Sequence, residues 1–141
     1  MNSELRNGTD IRQIDPPELP QGPGYSHTVS VEVPGRLVAV SGQIALDRDG
    51  TLVGPGDLRA QTHQVFANLQ AALAAAGAGW EHVVKLSYYL LDADQVAIVR
   101  EVRDRFLPEG VAPASTLVQV SRLVRDDLLV EIEAMAVVPL A

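Results

Sequence analysis

The order of elements along this 141-residue chain predicts an α+β domain, a mixed sheet of five or six strands with two helices on one face. Three observations carry that expectation. Runs rich in β-branched residues stand at 26–33, 36–46, 82–91, 116–123 and 128–138. Two intervening segments place their apolar residues at helical spacing instead. At 15.1 kDa the chain has the size of one domain, large enough to bury roughly 70% of the surface its unfolded form exposes.

Residues 1–24 are polar and broken by Pro16, Pro17, Pro20 and Pro23, which block helix and remove N–H donors, so an extended N-terminal arm is expected before a body spanning 25–141. The first body strand alternates Val29, Val31 and Val33 against Ser30 and Glu32. Pro34-Gly35 makes a tight turn into the second strand, whose first half is apolar on both faces. Asp49-Gly50 is a hairpin signal. Asp57 caps the first helix, whose stripe is Val65, Phe66, Leu69, Ala72, Leu73 and Ala76, and Gly77 ends it. The run 82–91 is a buried strand. Asp92 or Asp94 caps the second helix, with stripe Val96, Val99, Val102 and Phe106; Pro108 and Gly110 end it. Two further strands follow, joined by the polar segment 124–127.

Composition narrows the function. Hydrophobic residues make up 47% and charged residues 21%, which argues against disorder. A net charge of −7 disfavours nucleic acid, whose phosphates demand a dense Lys/Arg surface. The absence of cysteine excludes disulfides, cysteine nucleophiles and Cys-ligated zinc. No run approaches the roughly 20 apolar residues of a membrane span, and the N-terminus lacks the apolar core of a secretory signal, so a cytoplasmic protein is expected. His27, His63 and His82 lie on different elements without ligand spacing, and no metal is expected.

The last strand is the most informative. Leu128, Val130, Ile132, Ala134 and Ala136 line one face; Leu129, Met135 and Val137 share the other with Glu131 and Glu133. Two helices cover only the first face. The second is too apolar for water, and another copy of the chain is the expected cover. Period two sets the two carboxylates roughly 7 Å apart among apolar neighbours. Such a carboxylate either belongs to a solvated strand face or lines a partly buried pocket, its pKa raised for proton transfer. Ser41-Gly42-Gln43 reads either as a bulge allowing close backbone approach to a ligand or as a packing glycine. The hydroxyls of Pro113-Ala114-Ser115-Thr116 either bind ligand or satisfy loop backbone.

Taken together, Tyr25-Ser26-His27, Val40-Ser41-Gly42-Gln43-Ile44 with Asp49-Gly50, Gln61 with Asn68-Leu69, Ala76-Gly77-Ala78, Val83-Val84-Lys85, Pro113-Ala114-Ser115-Thr116 and Val130-Glu131-Ile132-Glu133-Ala134 occur in an order that resembles the RidA/YjgF family of enamine/imine deaminases. The resemblance covers about residues 25–138. It implies a chorismate-mutase-like fold, a homotrimer and a small-molecule pocket at each subunit interface. It also implies hydrolysis of 2-aminoacrylate or its imine to a 2-keto acid and ammonia, without metal or organic cofactor. By the same resemblance Glu131 handles water, and Tyr25, Gly42, Arg100, Ser115 and Leu117 line the pocket.

One departure matters. The family's substrate-clamping arginine, in a Pro-Ala-Arg-Ser segment, falls on Ser115, and the cysteine often found two positions later is Leu117. Losing a bidentate guanidinium contact costs about 10- to 100-fold in carboxylate binding. Arg100, where an asparagine is common, is either a relocated cation or a solvated helix charge. The competing expectations are a non-catalytic ligand-binding trimer and a specialised metabolic tailoring enzyme; a ribonuclease role is the weakest.

Overall fold

The computed structural model describes residues 2–6, 9–21, 23–32 and 34–140. Strands Asn2–Arg6 (β1), Thr9–Asp15 (β2) and Thr28–Glu32 (β3) form a three-stranded sheet, β1-β2-β3, in which both pairings are antiparallel. This corrects the extended arm expected over residues 1–24. The four prolines all lie after β2, so residues 2–15 keep every N–H needed for a ladder. Ile11 is fully buried, and Gln13 bridges to the far end of the chain, donating to Gly110 O at 3.1 Å and accepting from Ala112 N at 2.8 Å. The proline segment itself is irregular, as expected.

Gly35–Gln43 (β4), Val83–Leu90 (β5), Ala114–Gln119 (β6) and Val130–Pro139 (β7) make a second, mixed sheet of order β4-β7-β5-β6. β7 runs antiparallel to both neighbours, while β5 and β6 are parallel. The α+β class holds, but the strands divide between two sheets. The first body strand pairs with β2, and among the described residues no pairing joins β3 to β4 across Pro34. Gly35 is already the first residue of β4; Val33 lies outside the described residues. A parallel bridge from Ser26 to Ala114, with Ser26 Oγ donating to Ala112 O at 2.6 Å, ties the chain before β3 to β6.

Helix Leu58–Ala75 (α1) begins where expected: Asp57 accepts from the Ala60 N–H, and Gly77 follows its end at φ 72°, a conformation open to glycine. Helix Val96–Phe106 (α2) is preceded by a 3₁₀ turn, Ala93–Gln95, which Asp92 rather than Asp94 caps. Both helices pack on the face of the second sheet carrying Val38, Val40, Leu86, Tyr88, Leu90, Val130, Ile132, Ala134 and Ala136, all buried. Phe66 lies at the centre of this layer, with Trp80, Tyr88 and Phe106 rings 5.5–6.4 Å away.

Two polar residues on α1 fix the ends of the strands that matter below. Gln61, fully buried, donates to Gly54 O and Asp127 O and accepts from Leu129 N, which sets the entry into β7. Asn68 donates to Ile44 O and Leu46 O, just after β4 leaves its bulge. The Asp49-Gly50 hairpin forms as a single bridge between Leu46 and Leu52. Among the described residues, no helix is long and apolar enough to cross a membrane.

Candidate functional site

Between β5, β6 and α2 lies a cavity of about 220 Å³, roofed by the chain at Pro23 and Tyr25. The strand period explains its wall. Leu86, Tyr88 and Leu90 of β5 face the helices, and their partners on β6 include Ser115 and Leu117. Residues one and two helical turns into α2 supply the opposite side: Val96, Val99, Arg100 and Arg103. Four of the residues expected at a site, Tyr25, Arg100, Ser115 and Leu117, therefore converge here.

Two polar groups in this wall stand out. The Tyr88 hydroxyl is buried, and the Arg103 guanidinium is its polar neighbour, with no hydrogen bond of good geometry among the described residues. Burial pushes its ionisation far above the ordinary range, against the pull of the Arg103 guanidinium, so it stays protonated. Arg103 is itself buried; its Nε donates to Asp104 Oδ1 at 2.9 Å, and Nη2 stands 2.9 Å from the same oxygen. Gly24, at φ 71°, passes so close to the guanidinium that any Cβ there would overlap it.

Glu131 and Gly42 are on the other side of the sheet. Glu131 pairs with Tyr89 and Glu133 with Ser87, so both carboxylates point away from the helices, as the alternation predicts. Tyr89 Oη donates to Glu133 Oε1 at 2.8 Å. Partial burial holds the Glu131 carboxyl above its usual range, and the charge of Glu133 adds to the effect. Ser41-Gly42 is the bulge in β4, marked by the register shift between Val40 and Gln43, and it brings Gly42 against the Glu131 side chain. A Cβ on Gly42 would stand 2.9 Å from Glu131 Cδ. Because that atom ends a flexible chain, Gly42→Ala is expected to fold normally while swinging the carboxylate aside. Its melting temperature should stay within about 3 °C of wild type. Any reaction that depends on Glu131 should slow by about tenfold or more, as displacing a positioned group does. Equal turnover in Gly42→Ala would detach Gly42 from the site.

Comparison with known proteins gives the family. A family model described as Endoribonuclease L-PSP matches residues 18–138. The chain belongs to this family, the RidA/YjgF family. A RutC family protein of Synechocystis sp. is 40% identical over 121 residues, covering 85% of this chain and 89% of that protein. A mouse protein named 2-iminobutanoate/2-iminopropanoate deaminase is 36% identical over 113 residues, 80% of each chain. Among solved structures, a Rid family protein from Yersinia pestis superposes with a TM-score of 0.81 at 36% identity, covering 90% of this chain and 98% of its own.

Within this RidA/YjgF chain the expected site residues fall into two groups on opposite faces of one sheet: Tyr25, Arg100, Ser115 and Leu117 on one, Gly42 and Glu131 on the other. Sequence reasoning missed Arg103 and Tyr88. Arg103 reads as an ordinary helix charge, yet it sits one turn after Arg100, the spacing that puts both on one helix face. Tyr88 falls in a run of apolar residues where one hydroxyl gives no signal of its own.

Proposed function

We propose that this protein is a RidA-like hydrolase that deaminates a small reactive imine in a pocket shared between copies of the chain. The observation that carries the reading is the separation of the two groups across the sheet. Within one protomer Glu131 cannot reach a ligand held by Ser115 and Arg100, because β5 and β7 stand between them. A neighbouring copy laid on the open face brings its own cavity to Glu131. That face needs such a cover: Leu37 is 63% exposed, Val118 42% and Met135 40%, all in the second sheet. A homotrimer with three such seams suits a heterologous contact of this kind.

In this site Glu131 accepts a proton from water as the oxygen attacks the imine carbon. The same carboxyl returns that proton to the nitrogen, giving a carbinolamine, then takes the hydroxyl proton and passes it to the nitrogen as the C=O bond forms and the C–N bond breaks. The products are a ketone and ammonia. A carboxylate biased toward its protonated form suits both halves of that exchange. Tyr25 and Ser115 hydrogen-bond the substrate, and Gly42 lets its backbone approach. The mouse relative's imine-deaminase name supports the same chemistry. The endoribonuclease description attached to the family fits this chain poorly, since a net charge of −7 gives RNA little to hold. Ser115 in place of the clamping arginine favours a second reading, a trimer that binds a metabolite without turning it over.

Mixed oligomers test the shared site. Glu131→Gln and a cavity-filling Ser115→Trp chain are each expected to be inactive in ammonia release from imines made by an amino-acid oxidase. Unfolded together and refolded at equal amounts, they should regain about a quarter of wild-type activity, since random assembly of heterologous seams joins an intact cavity to an intact glutamate at about one seam in four. No recovery from well-folded mixed oligomers rules out the shared site. Saturable ligand stabilisation without ammonia release from any imine supports the binding-only reading.

A further inference from the structure

We propose that Tyr89 and Glu133 form a positioning pair for Glu131: the tyrosine hydroxyl pins the Glu133 carboxylate on the open face of the second sheet, and that fixed negative charge lets Glu131 hold a proton as well as release one. This rests on the reading that Glu131 moves the proton in the hydrolysis, and it adds two residues which that reading leaves unused.

The register supplies the geometry. Glu131 and Glu133 follow each other on one face of β7, roughly 7 Å apart by the strand period. Tyr89 of β5 lies directly opposite Glu131, yet its hydroxyl donates to Glu133 Oε1 at 2.8 Å, along the diagonal of the strand pair. The bond therefore draws the second carboxylate toward the level of the first instead of leaving it to turn out into solvent. On the other side of β7 the Gly42 bulge lies against the Glu131 side chain, so each carboxylate has one neighbour that sets its place.

The surrounding charges leave the acidic pair uncompensated. From β4 this face carries Leu37 and Ala39, and from β6 Thr116 and Val118, none of them ionisable. The helices pack on the opposite face. The one further charge on this face among the described residues is Lys85 of β5. Its Nζ donates to Thr116 Oγ1 at 2.7 Å and so turns toward β6, away from β7. Neither glutamate has an ion-pair partner among the described residues. Burial, and after it the charge of Glu133, hold the Glu131 carboxyl above its usual range. On the shared-site reading a neighbouring copy brings Arg100 to this face. That cation pulls the other way, and does so equally in wild type and in the variants below.

The hydroxyl of Tyr89 is the specific part of the device. Phenylalanine would cover the same area of sheet. The phenol adds a bond to a charged acceptor, stronger than one between neutral groups. That bond, together with the carboxylate's charge, keeps Tyr89 protonated beyond its ordinary range, so it remains the donor. A carboxylate that must take a proton from water and return it works best when neither of its forms is strongly favoured. Like charges about 7 Å apart, at an effective dielectric constant of about 20 to 80, move a titration by roughly 0.4 to 1.7 pH units.

The test follows the Glu131 carboxyl in the intact oligomer by carboxyl-carbon NMR of glutamate-labelled protein, its signal being the one that Glu131→Gln removes. The pH dependence of kcat/KM for ammonia release from an imine is measured alongside. Glu133→Gln keeps the shape and an acceptor for Tyr89 but removes the like charge. It should move both the carboxyl titration and the acid limb of the rate profile to lower pH by about 0.4 pH unit or more. Tyr89→Phe should move both in the same direction by less, since Glu133 is then free to turn away. The double variant should match Glu133→Gln alone, because the hydroxyl acts through the charge. A cross-strand pair that only braces the sheet would change the melting temperature and leave both curves in place. A smaller or opposite displacement in Glu133→Gln, or an effect of Tyr89→Phe that persists in full beside Glu133→Gln, overturns the proposal. If Glu133→Gln fails to assemble, Tyr89→Phe decides alone, and an unmoved titration overturns it. Undiminished turnover in Glu131→Gln overturns the hydrolase reading instead; the carboxyl titration needs no turnover and still decides whether the pair acts on Glu131.

Discussion

Glu131→Gln is expected to lower imine hydrolysis by about a hundredfold or more, the usual worth of a positioned general acid/base, with KM little changed. Glutamine keeps the shape of the side chain and one acceptor oxygen but cannot take up and return a proton. The same substitution carries a stability signature. The folded-state pKa of Glu131 lies above its ordinary 4.5, so the folded protein disfavours the ionised form. Below pH 4.5 the carboxyl is neutral in both states, and wild type and variant stand level. As pH rises through the raised folded value, wild type alone carries the cost of an ionised carboxylate beside Glu133. Thermal melts from pH 4 to 8 should show the variant gaining on wild type as pH increases. A variant that loses ground with rising pH contradicts a raised pKa, and a variant of undiminished turnover removes Glu131 from the chemistry.

Phe66→Ala is expected to destabilise the fold by about 3–5 kcal/mol, the range for truncating a fully buried aromatic side chain. Its ring is inclined 22° to Phe106 with centroids 5.5 Å apart, and it also meets Trp80 and Tyr88, so no single neighbour can move in to fill the space. For a chain of this length the melting temperature should fall by about 10 °C or more at fixed protein concentration. Phe66→Leu should recover more than half of that loss. A fall below about 3 °C for the alanine variant would mean that α1 slides to close the gap.

The strands and helices of the second sheet were legible because their period reports directly on burial. In β7 the alternation separates Ile132, fully buried, from Glu131 and Met135 on the open side. Asp57 and Gly77 mark α1 because an uncapped N–H and a left-handed turn each demand a particular side chain. The N-terminal hairpin was not legible. Prolines at 16–23 dominate the local pattern, and the partners that stabilise β2, Gly110 and Ala112, are almost 100 residues away. The site was half legible. Glu131 stands out as a charge among apolar neighbours, whereas Arg103 looks like any other basic residue on an exposed helix. Its burial comes from the approach of Gly24, which no periodicity encodes.

Tyr88 and Tyr89 are neighbours in sequence, yet one faces α2 and the other accompanies the acidic pair on the far side. From Leu86 to Leu90, even-numbered positions of β5 therefore answer to the helices, and odd-numbered positions to whatever lies across the open surface. During divergence the two sets are free to drift separately. Substitutions in one set can reshape the helix-side cavity while leaving the surroundings of Glu131 as they are, and substitutions in the other can do the reverse. One short ribbon thus carries two independent sets of constraints, interleaved one residue at a time from Leu86 to Leu90.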